Sequence, residues 1–500
     1  MSSALCLVLH AHQPYVRRHG SWPCGEDWYH QAATEAYLPL AEAFTRLADD
    51  GLSGFATVSF TPVLAGQMAD PYLTRELRLF LGRTMLRAER QVANYRGPWR
   101  DELVSLAAGA HVEAGALEAR LGSEWAAGSH VPWRALAAAG AIETWTSAPT
   151  HAFLPGLRDD ALAAAGWRAA AGEHERVFGI RPAGAWLPEC GYRPGLEAGP
   201  AAAGLGTILV DEPALGEGGD PLTPVRVSSG VRAVVRDRAR SLLVSGPGGY
   251  PGGAAYRDFH HYDDEAGFKS FAVTRPPGEG GPKHPYDPAA GAAAALQDAG
   301  RFAGAVREAL AAHRSRTGRD GLLVAAFDLE LFGHWWFEGP AFLEAVIREL
   351  SADGDVRPVT VSEGLASVPA ADAGLGASTW GRDGDDSSWL NAATAPVWGR
   401  VWEGEARVRE ALAGGGDPEV LAQAVREMLL LASSDWPFMI SMGRAADYAR
   451  DRAAAHDRAL HELCDAALRG EAPPGLDALR ERDNLLPALD LAPFAETARS

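Results

Sequence analysis

Six short apolar runs, spaced along the chain with helical or loop sequence between them, limit what it can fold into. They are ALCLVLH (4–10), GFATVSF (54–60), AIETWTSA (141–148), AGAWLPE (183–189), GTILVDE (206–212) and LLVAAFDLE (322–330). Each is apolar nearly throughout, as a strand covered on both faces must be. Several end in a residue able to do chemistry: His10, Glu189, Asp211, Asp328. Strands alternating with helices predict a parallel sheet or an α/β barrel. Chemistry gathered at the C-terminal ends of the strands is the barrel pattern.

Two stretches break the rhythm. From about 70 to 140 the sequence PYLTRELRLFLGRTMLRAERQVANY and its continuation read as a helical insertion, with Leu73, Leu77, Phe80 and Leu81 near 3.6-residue spacing. From about 195 to 255 the chain is rich in Gly and Pro, which predicts long loops. The Ala-rich segment 289–314 reads as a helix. After about 366 the pattern turns helical (402–413, 418–433, 444–468), with Gly414-Gly415-Gly416-Asp417-Pro418 as a stop and restart. We therefore expect a barrel domain over 1–365 and a helical domain over 366–500.

A net charge of -19 argues against nucleic acid and anionic membrane surfaces as partners. No stretch reaches the roughly 18 apolar residues of a membrane span. MSSALCLVLHAHQPY lacks a basic leader and a cleavage site, so it reads as a first strand. The four scattered cysteines, Cys6, Cys24, Cys190 and Cys464, are no disulfide framework. Together these predict a cytoplasmic enzyme or binding protein.

Isolated acids are rarely buried without a partner, yet Asp328 and Glu330 follow the apolar run GLLVAA. On a strand both would face one side. Glu189 closes another run, and two carboxyls from different strand ends are the equipment of a retaining glycosidase. Which of Asp328 and Glu330 would partner Glu189 stays open on this reasoning. His10 and His12 share a face; they suit sugar hydroxyls, or a metal if Asp263 and Asp264, after His260 and His261, lie near. Of the fifteen tryptophans, Trp28, Trp335, Trp336, Trp380, Trp389 and Trp436 lie near Asp, His or Asn. Flat rings beside carboxylates suit sugars; a Trp-rich core is the alternative.

Taken in order, these stretches resemble glycoside hydrolase family 57. LHAHQPY, APTHAFLP (148–155), AWLPECGYRP (185–194), FDLELFGHWW (327–336) and SSDWPFMIS (433–441) match its five motifs, and GEDWYHQAATEAYLPL (25–40), YPGGAAYRDF (250–259), STWG (378–381) and WLN (389–391) add to them. Within the family the layout is most similar to the 1,4-α-glucan branching enzymes. The resemblance implies a (β/α)7 barrel with a helical insertion and a C-terminal helical domain. It implies Glu189 as nucleophile and Asp328 as acid/base. His10, His12 and His151 would line the sugar site, with Trp28, Trp336, Trp380, Trp389 and Trp436 as aromatic contacts and Asp435 as a polar one. Glu330 and His334 would support these groups. The implied partner is an α-glucan, with no metal or organic cofactor.

One departure stands out. The family's branching enzymes carry a loop tyrosine over the active site, whereas no aromatic residue occurs between Tyr192 and Tyr250. Val244 also stands where the family usually shows a tryptophan. Both changes predict easier entry of water, and so hydrolysis or 4-α-glucan transfer as the alternative to branching. A metal-dependent hydrolase using His10 and His12, and a binding protein with a degenerate site, are the more remote alternatives.

Overall fold

Seven parallel strands close on themselves in the computed structural model, which describes residues 3–263, 267–274, 282–352 and 354–498. We label them β1 (Ser3–Ala11), β2 (Ala56–Phe60), β3 (Ile142–Ser147), β4 (Ala185–Trp186), β5 (Thr207–Asp211), β6 (Arg232–Arg236) and β7 (Leu322–Asp328). Neighbours pair in that order. β6 then pairs with β7 through Arg236 and Val324, and β7 with β1 from Ala4–Leu322 to His10–Asp328. The last register places His10 beside Asp328 at the barrel mouth. The expected (β/α)7 barrel is present.

Five of the six expected runs form strands close to the expected bounds. The run 183–189 keeps only two strand residues before it turns, so Glu189 stands in a short 3-10 turn, Pro188–Cys190. The sixth barrel strand, RAVVR, falls inside the stretch expected to be long loops. It is five residues long and bounded by arginines, so its alternation is weak evidence on its own. Its signal is the one the other strands gave, an apolar run ending in a charged residue.

The helical insertion is two antiparallel helices, Pro71–Asn94 and Arg100–Leu121. Leu73, Leu77 and Leu81 are buried; Asp70 caps the first helix through the Leu73 N–H. The Ala-rich helix runs Pro288–Thr317. At the C-terminal end the helices are Ala395–Gly414, Pro418–Leu431, Asp435–Met442 and Ala446–Arg469. Their apolar faces form a second core with Trp398, Trp436 and Leu460.

A π-helical turn, Ala33–Tyr37, interrupts the helix that follows the first barrel loop. It packs against the turn after β7. Gly333 makes that approach possible: its φ is +122°, and a Cβ there would lie 1.9 Å from the Glu35 carbonyl oxygen. Both the backbone angle and the space require glycine. Gly333→Ala should therefore cost at least about 2 kcal/mol of stability. Thermal denaturation would show the drop; an unchanged Tm would contradict the close packing.

Candidate active site

Three carboxyl groups meet at the barrel mouth. Glu189 follows β4, Asp328 ends β7, and Glu330 lies in the 3-10 turn Leu329–Leu331. Glu330 is thus off the strand, and simple alternation does not place it. It turns inward and is buried, accepting hydrogen bonds from the Tyr37 hydroxyl and from the His12 backbone N–H at 2.9 Å.

The backbone under Glu189 is unusual. Glu189, Cys190 and His151 have φ of 60°, 51° and 58°. Side-chain-bearing residues rarely adopt the left-handed region, and such strain clusters at functional sites. The turn is held from outside. Trp380 donates its indole N–H to Glu189 Oε2 at 2.7 Å, and its backbone N–H to the Glu189 carbonyl at 3.1 Å.

The imidazoles stack as a column. Ring centroids lie 4.5 Å apart for Trp186 and His10, 4.9 Å for His10 and His151, and 4.1 Å for His151 and His12. His12 bridges Thr61 and Asp435, at 3.2 and 3.1 Å. His10 Nδ1 meets Ser59 and His151 Nδ1 meets Ser434. Burial, reinforced by the neighbouring imidazoles, pushes the pKa of His10 and of His151 well below the usual value, so both are neutral. Their Nε2 atoms are buried without a hydrogen-bond partner. Such atoms can receive a polar ligand group.

Burial pushes Glu189 up to about 8; the Trp380 N–H opposes the rise, and the negative fields of Asp328 and Asp435 add to it. Burial raises Asp328 to about 6, against the opposing effects of His12 and Arg236. Glu330 rises to about 8, through burial and then the nearby Asp328. These groups therefore share protons near neutral pH, as an acid and base pair must.

Of the expected aromatic walls, Trp28 and Trp380 are half-buried, and Trp28 meets Tyr448 edge-on. Three expected contacts are instead buried. Trp336 packs in the core against Tyr256 and Phe342. Trp436 donates to the Leu430 carbonyl and packs on His456. Trp389 stacks on Phe153; its N–H makes no close hydrogen bond but lies near enough to Glu189 to favour the charged form. The alternative of a Trp-rich core describes Trp336 and Trp436; Trp389 is buried but borders Glu189. His334 bonds Glu35 at 2.5 Å, and Lys269 bonds the same carboxyl at 2.7 Å. Val244 is buried in the barrel-side core and forms no wall of the cleft.

The metal alternative gains no geometry at His10 and His12. Asp263 accepts from Gln91 instead, and Asp264 lies outside the described residues. Among the described residues one trio, Glu427, His456 and Asp483, has metal-ligand spacing. Its atoms are already engaged: His456 with Glu427 and Arg452, and Asp483 with His19 and Arg482. Two guanidinium groups beside the trio repel a cation.

With this geometry in view, comparison with known proteins is direct. Residues 6–373 match the family model for glycosyl hydrolase family 57, and residues 406–494 match the C-terminal model of 1,4-alpha-glucan branching enzymes. The chain belongs to glycosyl hydrolase family 57. Among its relatives in the family, a probable 1,4-alpha-glucan branching enzyme of Mycobacterium tuberculosis is 35% identical over 97% of this chain and 96% of its own length. The branching enzyme of Thermococcus kodakarensis is 32% identical over 99% of this chain and 79% of its own. The crystal structure of the family 57 branching enzyme of Pyrococcus horikoshii superposes with a TM-score of 0.93 at 31% identity, over 99% and 97% of the two chains. An alpha-amylase of Thermotoga maritima superposes at 0.86 with 25% identity, over the full length of both.

The site also holds residues that sequence reasoning does not single out. Tyr37 lies within the stretch 25–40, where nothing local marks it. Ser434 stands beside Asp435. Arg236 ends β6, inside the Gly- and Pro-rich stretch that predicts long loops.

The singly protonated Glu189–Asp328 pair prevails between about 6 and about 8. Below that range both hold protons, and above it both are ionised. kcat/KM for a reaction needing one of each should rise through about 6 and fall through about 8. A flat profile across that range would contradict the coupling.

Proposed function

We propose that this chain is a retaining 1,4-α-glucan branching enzyme that cleaves α-1,4 bonds and forms α-1,6 branches. The observation that carries the reading is the convergence of Glu189 and Asp328 at the mouth of a barrel whose relatives, matched over nearly its whole length, bear that name. Residues 1–365 form the catalytic domain in this reading, and the helical residues 366–500 complete its cleft. The protein would work in the cytoplasm, in the building of glycogen.

Glu189 attacks the anomeric carbon while Asp328 gives its proton to the leaving glycosidic oxygen. A glycosyl ester on Glu189 results. The 6-hydroxyl of an acceptor chain then attacks the same carbon, Asp328 takes its proton, and Glu189 leaves as carboxylate. Of the two carboxyls, Glu189 holds the proton more tightly. The reactive form puts it on Asp328, and the indole N–H groups of Trp380 and Trp389 favour the charge on Glu189. His10, His12, His151 and Asp435 would grip the sugar hydroxyls, with Trp28 and Trp380 against its apolar faces. Glu330 and His334 would hold the turn after β7 in place.

A second reading has one specific observation behind it. Between Tyr192 and Tyr250 the chain forms barrel strands, a hairpin and short helices, without an aromatic residue to cover the cleft. A cleft open to water favours hydrolysis over transfer. The two readings differ in product. Wild type and Glu189→Ala are incubated with amylose, and α-1,6 anomeric protons and reducing ends are counted before and after debranching. New α-1,6 signal, lost at least about a thousandfold in Glu189→Ala, is expected. Reducing ends without α-1,6 signal would make the chain a hydrolase, and lengthened α-1,4 chains a 4-α-glucanotransferase.

A further inference from the structure

Arg236, the last residue of β6, is buried in the barrel wall, and its charge acts on Asp328. Its Nε donates to the Ala326 carbonyl at 3.2 Å, two residues before Asp328 on β7. Its Nη1 reaches Asp211 at 3.3 Å, and its Nη2 reaches Ser245 at 3.4 Å. The guanidinium carbon lies 5.6 Å from the centre of the Trp380 ring, the indole that donates to Glu189. One side chain thus touches the strand that ends in Asp328 and the ring that holds Glu189.

We propose that Arg236 is a positioning residue for both carboxyls, and that its charge stabilises the Asp328 carboxylate that stands between the first proton transfer and the second. The inference rests on the roles proposed above for Glu189 and Asp328. Asp328 must give a proton in the first step and accept one in the second. A carboxyl in a desolvated barrel mouth holds its proton too tightly for the first task, and its carboxylate is costly to form there. A fixed guanidinium with no proton of its own to lose counters that effect without entering the chemistry.

The other charged groups are accounted for. Asp211, from β5, faces Arg236, and its free Oδ2 lies 3.7 Å from Arg238 Nε. Arg236 and Arg238 thus both face Asp211. Glu212 is engaged by the Arg238 backbone N–H, and Asp237 by Arg240. The Cys190 thiol, from the turn after β4, lies in the same field; burial and then Asp211 hold it protonated. From the cleft side, Asp328 feels His12 as well as Arg236, and it acts in turn on Glu189 and Glu330.

The test is the pH profile of kcat/KM on amylose for wild type, Arg236→Lys, Arg236→Gln and the double variant Arg236→Gln/Asp211→Asn. The double variant leaves no unpaired carboxylate in the barrel wall, so it decides the matter if Arg236→Gln does not fold. Both Gln-bearing variants should move the acidic limb upward by about one pH unit, a loss of about fivefold at pH 6 beyond any loss at pH 8. Arg236→Lys keeps the charge and should keep the limb. An unmoved limb in the Gln-bearing variants, whatever their loss in kcat, would reduce Arg236 to a packing role and overturn the proposal. Wild type inactive on α-glucans would overturn the underlying reading and this one with it; wild type active with an unmoved limb overturns this one alone.

Discussion

Bringing carboxyl groups together inside a low-dielectric barrel mouth is the constraint on which the rest of this structure depends. Each ionised carboxyl loses water there and repels its neighbours. The protein answers with donors from separate elements. Trp380 approaches Glu189 from the loop after the barrel, Tyr37 reaches Glu330 from the π-helical turn, and the His12 backbone N–H meets Glu330 from the end of β1. Arg236 supplies charge from below. The left-handed backbone at Glu189, Cys190 and His151 persists because these contacts fix the surroundings.

The C-terminal helices belong to this site as much as the strands do. Asp435 and Ser434 reach back to His12 and His151, and Ala152 pairs with Ser433 as an isolated bridge. Behind them, Trp436 packs on His456, which bonds Glu427; Asp483 then bonds His19, from the loop after β1. Buried polar groups this far from water must satisfy one another. The network ties the helical end of the chain to the first barrel loop, close to where substrate would enter.

How much of this was legible in the sequence depended on the length of the local signal. β1, β2, β3, β5 and β7 showed as continuous apolar runs because parallel strands are covered on both faces. β6 hid among glycines and prolines, since five residues carry little periodicity. The barrel mouth was legible where motifs exist: His10 and Asp328 lie at the ends of their strands, and His151 and Glu189 in the turns just after theirs. The aromatic residues were not. Nothing local separates Trp380, which touches Glu189, from Trp336 and Trp436, which are sealed in cores. That difference is set by tertiary packing. Tyr37 and Arg236 were invisible for the same reason: each matters through a contact with a residue nearly 300 or about 90 positions away.

The central claim is that Glu189 forms the covalent bond to the glucan. A fluorinated glucosyl donor that reacts normally but releases slowly would trap the intermediate, and peptide mass spectrometry would locate it. The account predicts one added sugar on the peptide containing Glu189, absent from Glu189→Gln. A label on Asp328 or Glu330 instead, or turnover of the donor with inversion at the anomeric carbon and no labelled peptide, would contradict it.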